Sequence, residues 1–189
     1  MQRRWTTLAL ILAAAAVSKP ALACQFPIDR DPKSVKYADV VVIGRISNYR
    51  IVLDQGAREA RKKMLSDPSI SPKLRKLLGN TTSFVSDYAR FDLIVDGVLR
   101  GRAPKKISAT WNNSTFGEPP SIPSGSYLVA LLNKSSRSPT PRTPNVTRLA
   151  SVEAESWQVL QAPCSSPFII QSASAEATAL RKILRAQPN

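Results

Sequence analysis

Two cysteines, no histidine and 27 lysines and arginines against 13 acids narrow the chemistry open to this chain. Without imidazole there is no Ser-His or Cys-His nucleophile and no histidine metal site. Asp92 and Asp96 are spaced to share one face of a strand and could be offered as paired carboxylates for acid–base work. Alternate acids on a strand also make an ordinary solvated face, and that is the reading preferred here. A Ser-Lys dyad stays open, because both residue types are abundant and their approach in space is not written in the sequence. No glycine-rich loop that could cradle a phosphate is present. The expectation is a non-enzyme with no catalytic residue, no cofactor and no metal site.

The two cysteines, Cys24 and Cys164, take their meaning from the compartment. Arg3 and Arg4 precede an apolar run from Leu8 to Val17, which has the length of a signal-peptide core and is too short for a membrane span. Ser18, Lys19 and Pro20 break the run, and Ala21-Leu22-Ala23 supplies small residues at −3 and −1 of a cleavage site. Residues 1–23 are therefore expected to be a signal peptide, with the mature chain starting at Cys24, secreted or periplasmic and without a transmembrane span. Lipidation of Cys24 is the competing outcome, although Ala21 and Leu22 stand in the reverse of the order a lipobox requires. In an oxidising compartment an isolated cysteine pair is expected to form one disulfide, worth about 4–5 kcal/mol by chain entropy. Free thiols, or dimerisation through one of them, are the alternatives.

Cleavage removes three basic residues and no acid, leaving 24 basic against 13 acidic side chains, a net +11. Such a balance favours an anionic partner: an acidic protein face, anionic lipid or an envelope polymer. Export argues against nucleic acid. So do the aromatic residues Tyr88, Phe91, Trp111, Phe116 and Tyr127, whose alternation with polar neighbours sends most of them to a core. A basic but simply soluble protein is the plain alternative.

These side chains need a scaffold. Residues 38–53 are β-branched with Gly44 in the middle, the pattern of a long strand bent at glycine. Residues 55–79 change to helix formers and a dense basic face carrying Arg58, Arg61, Lys62, Lys63, Lys73, Arg75 and Lys76, which marks a helical insertion and a candidate polyanion-binding site. Its helices are expected near Gly56 to Leu65 and Pro72 to Leu78, with Gly79 as the stop. Tyr88 to Leu99 alternates as a half-buried strand, with Gly97 and Gly101 expected to punctuate the turn after it. Lys106 to Asn112 alternates as well. Tyr127 to Leu132 is apolar on both faces and so central. Residues 133–148 are polar and Pro-rich, with Lys134, Arg137 and Arg142, and read as a mobile loop. Trp157 to Gln161 suggests a short strand, and Phe168-Ile169-Ile170 a last apolar piece. Residues 172–189 form a C-terminal helix capped by Ser174, with Ala177, Leu180, Ile183 and Leu184 toward the barrel. The expected fold is mainly β: a small five-stranded OB-type barrel over residues 24–171, with a helical insertion and a C-terminal helix packed on it.

Cys24 followed by Lys36-Tyr37-Ala38-Asp39-Val40-Val41-Val42-Ile43-Gly44-Arg45-Ile46 resembles the opening of netrin-like (NTR) modules and of tissue inhibitors of metalloproteinases. There a cysteine-led segment runs into a first strand of ADVVxxGxV type. Phe91-x-Leu93-x-Val95 with Arg102, and Pro123-Ser124-Gly125-Ser126-Tyr127-Leu128-Val129, resemble two further stretches of that family. The resemblance implies an OB-fold binding module with a protein partner. In the inhibitor branch it further implies that the α-amine and carbonyl of an N-terminal cysteine, here Cys24, chelate a protease's zinc. The inhibitors carry Cys-x-Cys where this chain has Cys24-Gln25-Phe26, and several disulfides where this chain has one possible pair. Three functions remain in competition: a protein-binding module, a protein held to anionic polymer or lipid by its insertion, and a zinc-protease inhibitor.

Overall fold

The computed structural model describes residues 28–80, 84, 86–112, 118–133, 153, 155–162 and 165–186. Six strands alternate with three helices: β1 (Val40–Val52), α1 (Gln55–Ser66), α2 (Pro72–Gly79), β2 (Tyr88–Arg100), β3 (Lys106–Trp111), β4 (Ser126–Leu132), β5 (Trp157–Val159), β6 (Ile169–Gln171) and α3 (Ala175–Ala186). A 3-10 turn, Pro32–Tyr37, precedes β1; it starts on proline and is capped by the Asp31 side chain. The sheet runs β1-β2-β3-β5-β4, and an added β1–β4 pairing closes it into a five-stranded barrel, with β6 outside the ring on β4. All ladders are antiparallel except β3 with β5.

The interior is filled by side chains from alternate strand positions. Val40 and Val42, Phe91 and Leu93, Ile107 and Ala109, and Val129 and Leu131 meet there with Trp111, Tyr127 and Val159. Each large aliphatic or aromatic side chain fully removed from water contributes about 1.5–3 kcal/mol. The two polar aromatics keep their hydrogen bonds: Trp111 Nε1 donates to Gln161 Oε1 at 2.9 Å, and Tyr127 OH donates to the Pro123 carbonyl at 2.6 Å. Of the aromatics named above, Phe91, Trp111 and Tyr127 lie in the core, while Tyr88 sits half-buried and donates to Glu153 Oε1 at 2.9 Å.

A second core forms outside the barrel. Val41, Leu128, Ala130 and Leu132, the outward residues of β1 and β4, pack with Val35, Phe168, Ile170, Ala177 and Leu180. The 3-10 turn, the Phe168–Ile170 piece and the apolar face of α3 together cover the outer side of β4, which is why β4 is apolar on both faces. Ser174 caps the helix, its Oγ accepting from Ala177 N–H at 3.1 Å.

Several expectations change in detail. Gly97 lies inside β2, not in a turn. Gly101 does turn the chain, at φ +74 and with Asp39 O only 2.2 Å from where a Cβ would stand. Gly79 belongs to α2, and Asn80 ends the helix in a right-handed conformation instead of the left-handed glycine stop. The signal segment 1–23, Cys24, Cys164, Phe116 and nearly all of the 133–148 loop lie outside the described residues.

A candidate docking site on the helical insertion

The insertion fills the connection between β1 and β2, whose ends are already paired at Val52 and Tyr88. Each helix begins where its sequence dictates. Asp54 caps α1 by accepting from Ala57 N–H at 2.9 Å, and Ser71 caps α2 by accepting from Leu74 N–H at 3.3 Å with Pro72 behind it. Hydrogen bonds of Ser86 and of the Ala57 N–H hold the Asp54 carboxyl below its usual range. Between the helices Asp67 accepts from Ser69 N–H and Oγ at 2.8 and 2.7 Å, and Arg75 Nη2 reaches the Asp67 carbonyl at 3.0 Å.

One polar knot ties this hairpin to the barrel. Asp87, buried at the foot of β2, accepts from both terminal nitrogens of Arg58, at 2.6 and 2.8 Å, from Asp54 N–H at 2.8 Å and from Phe84 N–H at 3.1 Å. The Arg58 hydrogen bonds, ahead of the two backbone ones, push its pKa down to about 2 against the penalty of burial. Phe84 stacks beneath the guanidinium groups of Arg58 and Arg61, whose carbons lie 4.8 and 5.3 Å from the ring centre.

Beyond the knot neither helix has a buried residue. The seven basic residues singled out in the sequence therefore divide. Arg58 is committed to Asp87, Arg61 lies on Phe84 with Nη1 3.4 Å from the Leu78 carbonyl, and Arg75 fastens the interhelical turn. Lys62, Lys63, Lys73 and Lys76 are exposed. Leu74 and Leu77 are exposed among them, by 41% and 68%, and Met64 by 44%. A groove of about 400 Å³ runs along α2, lined by Ser71, Lys73, Leu74, Lys76, Leu77 and Asn80. In the sequence the cations of this segment stand out and the leucines among them do not. Their signal was the three- and four-residue spacing of Leu74, Leu77 and Leu78 in a helix too short and too basic to enter a core.

The carboxylates weighed as a pair stand apart in use. Asp92 is held by Asn48 Nδ2 at 2.7 Å and Lys106 Nζ at 2.9 Å, which keep its pKa below the usual range, whereas Asp96 pairs with Arg45 at 3.2 Å. Both are charge partners on the outer face of the sheet. At the opposite end of the domain Ile28 bridges Ser165 in a parallel register, Arg30 Nε meets Glu176 Oε1 at 2.9 Å, and Arg30 Nη1 donates to the Pro167 carbonyl. Among the described residues no group of three or more acids suited to a metal ion occurs, and no helix is long and apolar enough to cross a membrane. No family model matches the chain, nor does any curated protein or solved structure.

Proposed function

We propose that this chain is an exported, non-catalytic OB-type binding module, NTR-like in descent, that docks to an anionic envelope surface through its helical insertion. The observation that carries this is the insertion itself. Two capped helices, in a segment whose residues 55–79 hold seven bases and two acids, stand on a charged pivot without a fully buried residue of their own. A segment that ordered has a use outside the domain, since among the described residues Phe84 and Asp87 tie it to the barrel. The barrel interior is occupied by side chains, so binding belongs to the exterior.

Because Val52 and Tyr88 are paired, residues 53–87 can be exchanged for an Asn-Gly turn without re-routing a strand. The exchanged protein should keep its barrel, leave the envelope fraction for the soluble one, and lose the salt-dependent release expected of the parent. Equal partition of both proteins with the envelope would overturn the proposal.

The bridge between Ile28 and Ser165 supports the cysteine staple, because it sets Ile28, four residues after Cys24 in sequence, alongside the residue that follows Cys164. Mass spectrometry of the exported protein is expected to show a chain starting at Cys24, without lipid, two hydrogens lighter than its dithiol form. A diacylglyceryl adduct, or two alkylatable thiols, would contradict it.

A further inference from the structure

We infer that the α2 groove is a bilayer-docking site for anionic lipid, in which Leu74 and Leu77 enter the acyl boundary while Lys73 and Lys76 meet lipid phosphates. This rests on the docking role of the insertion and names the occupant. Four facts converge on a bilayer. The most exposed large apolar residue described is Leu77, at 68%, on a helix with no buried residue. Lys73 and Lys76 border the same groove, so apolar contact and positive charge act on one surface. Lysine stems run along apolar surface while their ammonium groups reach outward, as a headgroup layer requires. Arg58, the cation best suited to a rigid bidentate contact, is turned inward to Asp87, and the exposed Arg75 reaches back to the Asp67 carbonyl, which leaves most of the outward charge to the four lysines.

An acidic protein partner would call for a different surface. Protein interfaces are depleted in lysine, and their energetic centres are built on Trp, Tyr and Arg, with leucine under-represented. Neither α1 nor α2 carries an aromatic residue. A soluble polyanion would use the lysines and ignore the leucines.

That last contrast supplies the test. Processed protein is titrated with vesicles of equimolar phosphatidylglycerol and phosphatidylcholine, with phosphatidylcholine vesicles and with immobilised heparin. The unaltered protein should bind the anionic vesicles and not the neutral ones. Leu74→Ser with Leu77→Ser should weaken vesicle binding about tenfold and leave heparin retention unchanged. Lys73→Ser with Lys76→Ser should weaken both by about tenfold and flatten their salt dependence. A Leu77→Trp reporter should shift its emission to the blue on anionic vesicles and be quenched by brominated acyl chains. None of these positions is buried, so circular dichroism should match the parent throughout. Vesicle binding unaffected by the leucine changes, or absent from the parent, would overturn the bilayer assignment. If the parent fails on vesicles while removal of residues 53–87 still releases it from the envelope, the docking role stands and only the lipid occupant falls.

Discussion

Alanine at position 44 should cost the barrel about 3 kcal/mol and lower its melting temperature by roughly 6–12 °C. Gly44 sits at a register shift in the β1–β2 ladder, in the half of β1 that pairs with both β2 and β4, with Val95 on one side and Tyr127 on the other. A Cβ built there would lie 2.3 Å from the Ile94 carbonyl oxygen and 3.1 Å from its carbon. Those are main-chain atoms, so no side-chain rotation relieves the overlap. The β1–β2 ladder must open at the point where the barrel closes. Gly97→Ala is the control within the same sheet, because nothing lies within 4 Å of its added Cβ and its φ is not left-handed. It should be neutral or gain a few tenths of a kcal/mol through the unfolded state. Urea unfolding of the two variants beside the parent measures the contrast, and equal midpoints would refute the close-approach argument.

Asp87→Asn should cost about 2 kcal/mol and release the root of the insertion. The carboxylate receives four donors, two on each oxygen, and asparagine must present an amide to one of the two donor pairs. Arg58 also loses its counter-charge. The pH dependence follows from linkage. The folded pKa of Asp87 is depressed to about 2, below an unfolded value of about 3.9. Its stabilisation is therefore complete above about pH 4 and is lost as pH falls toward 2. The stability difference between parent and Asp87→Asn should be constant from neutrality to about pH 5 and shrink steadily below pH 4. Other carboxylates titrate in both proteins and cancel from the difference. Amide exchange should show α1 and α2 losing protection in the variant before the strands do. A difference that stays constant down to pH 2 would show that Asp87 is not the charged pivot.

How much of this was legible in residue order depends on the range of the interaction. Alternation in β2, the glycine-bent first strand, the capped α3 and the two insertion helices follow from local patterning; the strands and insertion helices stand within two residues of expectation, and α3 covers Ala175–Ala186 of the 172–189 expected. The double-faced apolarity of β4 pointed to a central strand, and it lies between β1, β5 and β6. Composition likewise marked the insertion as basic before its shape was known. The failures share a cause too. Asp87 reads as one more acid beside a strand, and Arg58 as one more cation, because their pairing joins residues 29 positions apart. Gly97 and Gly101 look alike in sequence, yet only Gly101 has a left-handed φ and a carbonyl against it.

What the sequence determined by itself was the periodicity of each element, the sign of the surface charge and the absence of imidazole chemistry, since these are properties of residue type and spacing. Tertiary structure alone decided the closure of β1 on β4, the second core beneath α3, and the division of seven cations into those that hold the fold and those that face outward. Burial is a relation between segments distant in the chain, and the same lysine or leucine is structural or available according to what the fold places over it.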